Sequence, residues 1–323
     1  MIKQEYPKIV FVGAHMEGEL PLVHLITVRE NLAGLFTLEP QALSRMSGGV
    51  DLALHAIAAG IPIRKGANVN APESVEWIRA IAPDLLLVIG WTQLLNPEIL
   101  NVPRIACLGF HASLLPKYRG RAPVNWAIIN GEKETGNTMI VLEPGADEGD
   151  IVAQRVIPIK EDDDCGTIYQ KVSLSECDML AEVLPLIRLG RMPRLQQNSL
   201  EATVLPKRRP EDGLIDWSQP ARHLYNWIRA LTTPYPGAFS HSTGRRIKIW
   251  KAALGTLKSP SPDLPGTVLL DADGYPNVAT GDGYIKLIQV EREGETAIRG
   301  IEAGTTYLKP PAFLGAGRLD GVQ

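Results

Sequence analysis

His111 and Asp147 are the residues of this chain best suited by type and spacing to move protons. His111 closes the run Ile105-Ala106-Cys107-Leu108-Gly109-Phe110, which is short, apolar and uninterrupted and predicts a buried strand ending at the histidine. Pro116 and Gly120 then force a loop. Asp147 lies in the turn-rich Glu143-Pro144-Gly145-Ala146-Asp147-Glu148-Gly149-Asp150, which follows a second predicted strand at 137–142. An imidazole, with a reference pKa near ~6.5, gives and takes protons at neutral pH. A carboxylate beside it orients the ring and favours its charged form. Each loop follows a strand, so both side chains can reach one edge of a sheet, where open α/β sheets place their chemistry. A single histidine at a strand end is more often structural, so it is the pair that carries the expectation.

Two other chemistries fit poorly. Ser113 lies in no G-x-S-x-G elbow, and the chain has no such elbow elsewhere. The six histidines (15, 24, 55, 111, 223 and 241) show neither HxxxH nor HExxH spacing, which predicts no metal.

The elements that must position these residues alternate. Residues 8–13, 32–38, 61–63 and 85–90 read as buried strands, with helical periods at 22–25, 51–59 and 74–81 between them. Pro123 opens a further helix that Gly131 stops, and 167–189 predicts a long amphipathic helix with Pro185 in its last turns. Strands alternating with helices imply an α/β, doubly wound, mostly parallel, Rossmann-like sheet. The first glycine-containing loop, Gly13 to Gly18, carries no GxGxxG and is not a dinucleotide site. Residues 192–220, with four prolines among polar residues, predict a linker and a boundary near 205, giving domains 1–205 and 206–323. Beyond a helix at 222–231 come short strands at 238–242, 245–252, 266–270, 276–280 and 284–290 with Gly turns, the pattern of a small OB-like barrel.

Composition sets broad limits. The 323 residues are 45% hydrophobic, enough for two cores. Lys and Arg total 33 against 36 Asp and Glu, net −3, which gives no global pull towards nucleic acid or anionic membrane. Cys107, Cys165 and Cys177 form neither a CxxC pair nor a disulfide framework, so a reducing, cytoplasmic setting is expected. The amino terminus, residues 1–7, lacks an apolar signal core, and no stretch approaches the ~18 apolar residues of a membrane span.

The segments His-Ala-Ser-Leu-Leu-Pro-Lys-Tyr-Arg-Gly-Arg-Ala-Pro from His111, Thr135-Gly136-Asn137-Thr138, and Gly145-Ala146-Asp147-Glu148-Gly149-Asp150 resemble the signature of the 10-formyltetrahydrofolate-dependent formyltransferases. Pro234-Tyr235-Pro236-Gly237-Ala238-Phe239 and Ala279-Thr280-Gly281-Asp282-Gly283 resemble that family's second domain. The resemblance is closest to the branch that formylates nucleotide-linked amino sugars, with methionyl-tRNA formyltransferase a step further away. It implies formyl transfer from 10-formyltetrahydrofolate to an amine, with His111 and Asp147 catalytic. It further implies a pterin pocket around Gln93, Leu94, Leu95, Arg121 and the turn Glu143, Pro144, Gly145, Ala146 and Asp147. Leu94 and Leu95 read equally well as core. The first loop would face the amine substrate, making His15 and Glu17 candidates, although solvated loop residues would look the same. Association with further copies of the chain stays open.

One position departs from the pattern. The family has Asn two residues before the histidine, where this chain has Gly109. Residues two apart on a strand share a face, so that Asn would stabilise the developing oxyanion beside His111. Three expectations follow: another donor, with Asn137 the candidate; an enzyme that is slow, which Gly109→Asn would accelerate, or altered in reaction; or a silent folate or nucleotide-sugar binder.

Overall fold

The computed structural model describes residues 6–257 and 263–315. The first five residues, part of the stretch read for a signal core, lie outside them. The described residues divide into two compact units, within Met1–Val124, Glu134–Ile159 and Thr167–Lys207 for the first and Asn125–Lys133, Lys160–Gly166 and Arg208–Gln323 for the second.

Up to residue 207 the chain runs β1 (Ile9–Val12), α1 (Glu19–Thr27), β2 (Leu32–Thr37), α2 (Pro40–Leu43), α3 (Ala53–Ala58), β3 (Ile63–Lys65), α4 (Pro72–Ile81), β4 (Leu85–Val88), α5 (Pro97–Leu100) and β5 (Ala106–His111). It continues through β6 (Arg119–Gly120), α6 (Pro123–Ile129), β7 (Glu134–Val141), β8 (Ile151–Pro158), α7 (Cys165–Arg188) and β9 (Val204–Leu205). Seven strands form one sheet in the order β3-β2-β1-β4-β5-β7-β8, parallel from β3 to β5 and antiparallel from β5 to β8.

Alternation along the strands explains why the sheet is covered on both faces. Ile9, Phe11, Leu85, Leu87 and Leu108 pack with Leu22, Leu25, Met179 and Val183 on one side. Val10, Val12, Leu86, Val88 and Cys107 pack with Val75, Ile78 and Ile99 on the other. The strand order reverses between β1 and β4, and the loops after these two strands meet at the sheet's carboxyl edge, where the Ala14 amide donates to the Gly90 carbonyl (3.2 Å).

The third strand sits two residues later than its sequence suggests. β8 is an edge strand whose Gln154 and Arg155 interrupt the apolar pattern that would have marked it. The stretch 192–220 is not a free linker throughout. Leu195 exchanges both backbone hydrogen bonds with Ile151 (2.8 and 2.9 Å), and β9 pairs in parallel with β6.

In the second unit α8 (Ala221–Leu231) is followed by β10 (Ala238–Ser242), β11 (Arg245–Leu254), β12 (Thr267–Leu270), β13 (Pro276–Ala279), β14 (Tyr284–Arg292), β15 (Ile298–Arg299), α9 (Gly300–Thr305) and β16 (Ala312–Phe313). The antiparallel order β10-β11-β14-β13-β12-β16 nearly closes, because His241 of β10 pairs with Gly315 just beyond β16. A tight turn joins β10 and β11 through Thr243 and Gly244, both at positive φ, as two-residue hairpins require. Among the described residues no helix is long and apolar enough to cross a membrane.

Candidate active site

His111 is the last residue of β5, buried, and held from two sides. Its Nε2 lies 2.7 Å from the carbonyl oxygen of Tyr118. A carbonyl only accepts, so Nε2 carries the proton and Nδ1 of the neutral ring carries the lone pair. That lone pair faces Asp147, whose Oδ1 is 3.5 Å away. Asp147 Oδ2 accepts from the Gly120 amide at 2.9 Å. Both ring nitrogens thus face acceptors, and with a proton on each the ring and Asp147 form an ion pair, an arrangement that can hold and release one proton.

The motif residues around the pair have physical reasons. Ser113 donates its hydroxyl to the Lys117 carbonyl (2.7 Å) and is 1% exposed, so it staples the loop. Thr138, opposite His111 in the β5–β7 ladder, donates to the Ser113 carbonyl at 2.6 Å. Gly136 leaves room for Leu114, since a Cβ there would stand 2.3 Å from Leu114 Cδ2. Gly149 lets the Asp147 turn lie against β7, where a Cβ would meet the Val141 carbonyl oxygen at 1.7 Å. Asp147 itself holds φ at 61°, a left-handed conformation that the surrounding contacts must maintain.

Gly109 pairs with Val88 and Ile140 in mid-sheet and shares the His111 face. The space beside it is filled. A Cβ at position 109 would stand 2.6 Å from Leu142 Cδ2 and 3.0 Å from its Cγ. Asn137 does not face the space beside Gly109. It lies on the opposite face of β7, wholly buried under α7, donating to Ser175 Oγ (3.0 Å) and the Val172 carbonyl (3.3 Å). The reason is parity: Asn137 precedes Thr138, and it is Thr138 that stands opposite His111. Cys107, two residues before Gly109 on the same strand, is buried, and that burial pushes its thiol up to about 12.

The loop after β4 stands at the switch point. Gln93 accepts from the Val69 amide (3.2 Å) and donates to the Ala67 carbonyl (2.6 Å), so its amide fixes the loop. Asn70 takes the Leu94 carbonyl (2.8 Å). Leu94 itself is 66% exposed, and Leu95 and Leu142 are partly buried against one apolar cluster. Trp91, in that cluster, has a buried Nε1–H without an acceptor among the described residues. Arg121 and Glu143 to Ala146 are exposed. An apolar wall with an unsatisfied buried donor suits a flat ring bearing acceptors.

His15 and Glu17 are not the solvated residues that a loop suggests. Both are largely buried and paired at 3.6 Å, and Glu17 lies beside Glu176 of α7. Complete burial, and then the charge of Glu17, raise the Glu176 carboxyl well above its usual range. A carboxyl raised in the folded state stabilises fully below its unfolded value and loses that contribution as pH rises through its folded value. Glu176→Gln is therefore expected to melt roughly 2–6 °C higher than wild type at about pH 8 and to match it near pH 4.5. Melting curves across that range check this; an unchanged pH dependence would remove Glu176 as its source.

Among the described residues no group of three or more His, Cys, Asp or Glu is arranged to hold a metal. Residues 50–184 match the family model described as formyl transferase, and residues 207–305 that of the formyl transferase C-terminal domain. The chain is 37% identical over 311 residues to the methionyl-tRNA formyltransferase of Geotalea uraniireducens, covering 95% of this chain and 98% of that one. Among solved structures, HypX from Aquifex aeolicus in complex with tetrahydrofolic acid aligns with a TM-score of 0.67 at 18% identity. That alignment covers 99% of this chain, which spans about half (50%) of HypX. The N-formyltransferase from Helicobacter canadensis, in complex with folinic acid and dTDP-3-aminofucose, aligns with a TM-score of 0.64 at 16% identity, over 87% of this chain and 98% of that one.

Proposed function

The chain belongs to the formyl transferase family, and from that premise we propose that it transfers a formyl group from 10-formyltetrahydrofolate to the amine of a nucleotide-linked amino sugar. The donor supplies the formyl carbon. In this reading Trp91 Nε1, Gln93, Leu94, Leu95, Arg121 and the Glu143 to Asp147 turn surround its pterin. His111 Nδ1 accepts the proton released when the amine nitrogen bonds to the formyl carbon, and returns it to the departing nitrogen. Asp147 balances the imidazolium in between.

The observation that favours a sugar over a tRNA is the charge pattern. Several cations of the C-terminal unit are already engaged: Lys248 with Glu291 (3.0 Å), Lys286 with Asp271 (2.8 Å), Arg292 with Glu295 and Arg222 with Glu161. Arg208 lies between the rings of Trp126 and Trp227, 4.9 and 4.5 Å from their centroids. A tRNA-binding surface needs many cations free for phosphates, and residues 204–323 carry a net charge of only +3, from 15 Lys and Arg against 12 Asp and Glu. The free cysteines suit a reducing cytoplasm. The second reading, methionyl-tRNA formylation, rests on the 37% identity to an enzyme of that name.

One competition experiment separates the two. Purified protein and 10-formyltetrahydrofolate are offered a panel of nucleotide-linked amino sugars and, separately, charged methionyl-tRNA. Mass spectrometry is expected to show a formylated sugar nucleotide, with tRNA retained on filters only weakly. Efficient tRNA formylation without any sugar product would replace the first reading by the second.

A further inference from the structure

Gln197 lies in the stretch whose prolines and polar residues read as a linker, yet it is 8% exposed and uses every hydrogen-bonding capacity of its amide. Nε2 donates to the Asp147 carbonyl (2.9 Å) and to the Gly149 carbonyl (2.7 Å). Oε1 accepts from Arg119 Nη2 (2.8 Å) and Nε (3.3 Å). The network admits only one orientation of the amide, because a flip would set oxygen against two carbonyls and NH2 against a guanidinium.

The groups that Gln197 joins are the two arms holding His111. Arg119 stands between Tyr118, whose carbonyl takes His111 Nε2, and Gly120, whose amide holds Asp147 Oδ2. The Asp147 turn is the second arm. Gln197 thus closes a ring running His111, Tyr118, Arg119, Gln197, Asp147 and back to His111. The same strap steadies the first arm directly: Thr203 Oγ1 accepts from the Tyr118 amide (2.8 Å), and the Thr203 carbonyl accepts from the Arg119 amide (2.8 Å).

We propose that Gln197 is a positioning residue for proton transfer, fixing the distance between Asp147 and His111 by tying the Asp147 turn to the Tyr118–Gly120 arm. This rests on the catalytic reading of His111 and Asp147. Gln197 bonds neither the His111 ring nor the Asp147 carboxylate, and acts on them through Arg119 and the Asp147 and Gly149 carbonyls.

The test uses Gln197→Glu beside Gln197→Ala in the full chain. A carboxylate keeps, and strengthens, the contact with Arg119, but it cannot donate to the two turn carbonyls and repels them. If Gln197 served only to pair Arg119 or fill space, Glu would restore what Ala loses. The proposal expects the opposite. Gln197→Glu lowers kcat by about 10²-fold, at least as much as Gln197→Ala, with KM for both substrates within about threefold of wild type. A second readout needs no turnover: the His111 ring resonance in a ¹H–¹⁵N spectrum, assigned by its absence from His111→Ala, moves in Gln197→Glu. If Gln197→Glu does not fold, Gln197→Met keeps the volume and carries the same expectations. Retained kcat with an unmoved His111 resonance overturns the proposal. Absence of formyl transfer by wild type on every amine offered overturns the functional reading instead, while the resonance still decides whether Gln197 positions the ring.

Discussion

His111→Ala is expected to lower formyl transfer by about 10²–10⁴-fold, the range that one positioned acid–base group supplies. Asp147→Asn is expected to fall in the same range for a different reason. Asn can still accept from the Gly120 amide through its oxygen. Its NH2 then faces the Nδ1 lone pair, now 3.5 Å from a carboxylate oxygen, and donates to it. A base whose lone pair is capped cannot take the amine proton, and the imidazolium loses its balancing charge. Both variants should keep the wild-type circular dichroism spectrum, so that the loss falls in kcat and not in folding. Near wild-type turnover in either folded variant would strike that residue from the catalytic assignment.

The second large effect is expected at Gly109, and it requires two substitutions. The sequence suggests that restoring Asn would recover a missing oxyanion donor, worth ~10²–10³ in rate. The packing changes that expectation. Leu142 occupies the place of the side chain, with Cδ2 and Cγ only 2.6 and 3.0 Å from where a Cβ would stand, so Gly109→Asn alone must displace it from the cluster that holds Trp91 and Leu95. The single variant should therefore show no gain or lose up to about tenfold, in keeping with overpacking. Gly109→Asn/Leu142→Ala makes the room and should exceed the single variant by at least about tenfold. Leu142→Ala alone completes the cycle and isolates the coupling between the positions. If the double variant is no faster than Gly109→Asn, the oxyanion is met from elsewhere and position 109 does not limit the reaction.

The sequence by itself determined the scaffold and the candidate pair. Short apolar runs alternating with helical periods imply a covered, mostly parallel sheet because only buried strands dispense with a polar face. His111 at a strand end and Asp147 in a Gly-rich turn were legible because local chemistry, not distant packing, puts them at the sheet edge. Tertiary structure decided which neighbours complete them. A one-residue step along a strand reverses the face, so Asn137 was as plausible a donor as any residue of β7 until the pairing of His111 with Thr138 turned it under α7. Leu142 fills the Gly109 space only because β7 lies antiparallel beside β5, a pairing with no signature in either strand alone. Gln197 was invisible in a polar, proline-rich stretch, since its partners lie 50 and 78 residues away and no local period links them. Glu176 sits on a long amphipathic helix, where a carboxyl suggests a solvated face. It is buried because Glu17, from a loop more than a hundred residues earlier, is folded against it. Local periodicity specifies elements, whereas the partners of a buried polar group follow from which elements the fold brings together.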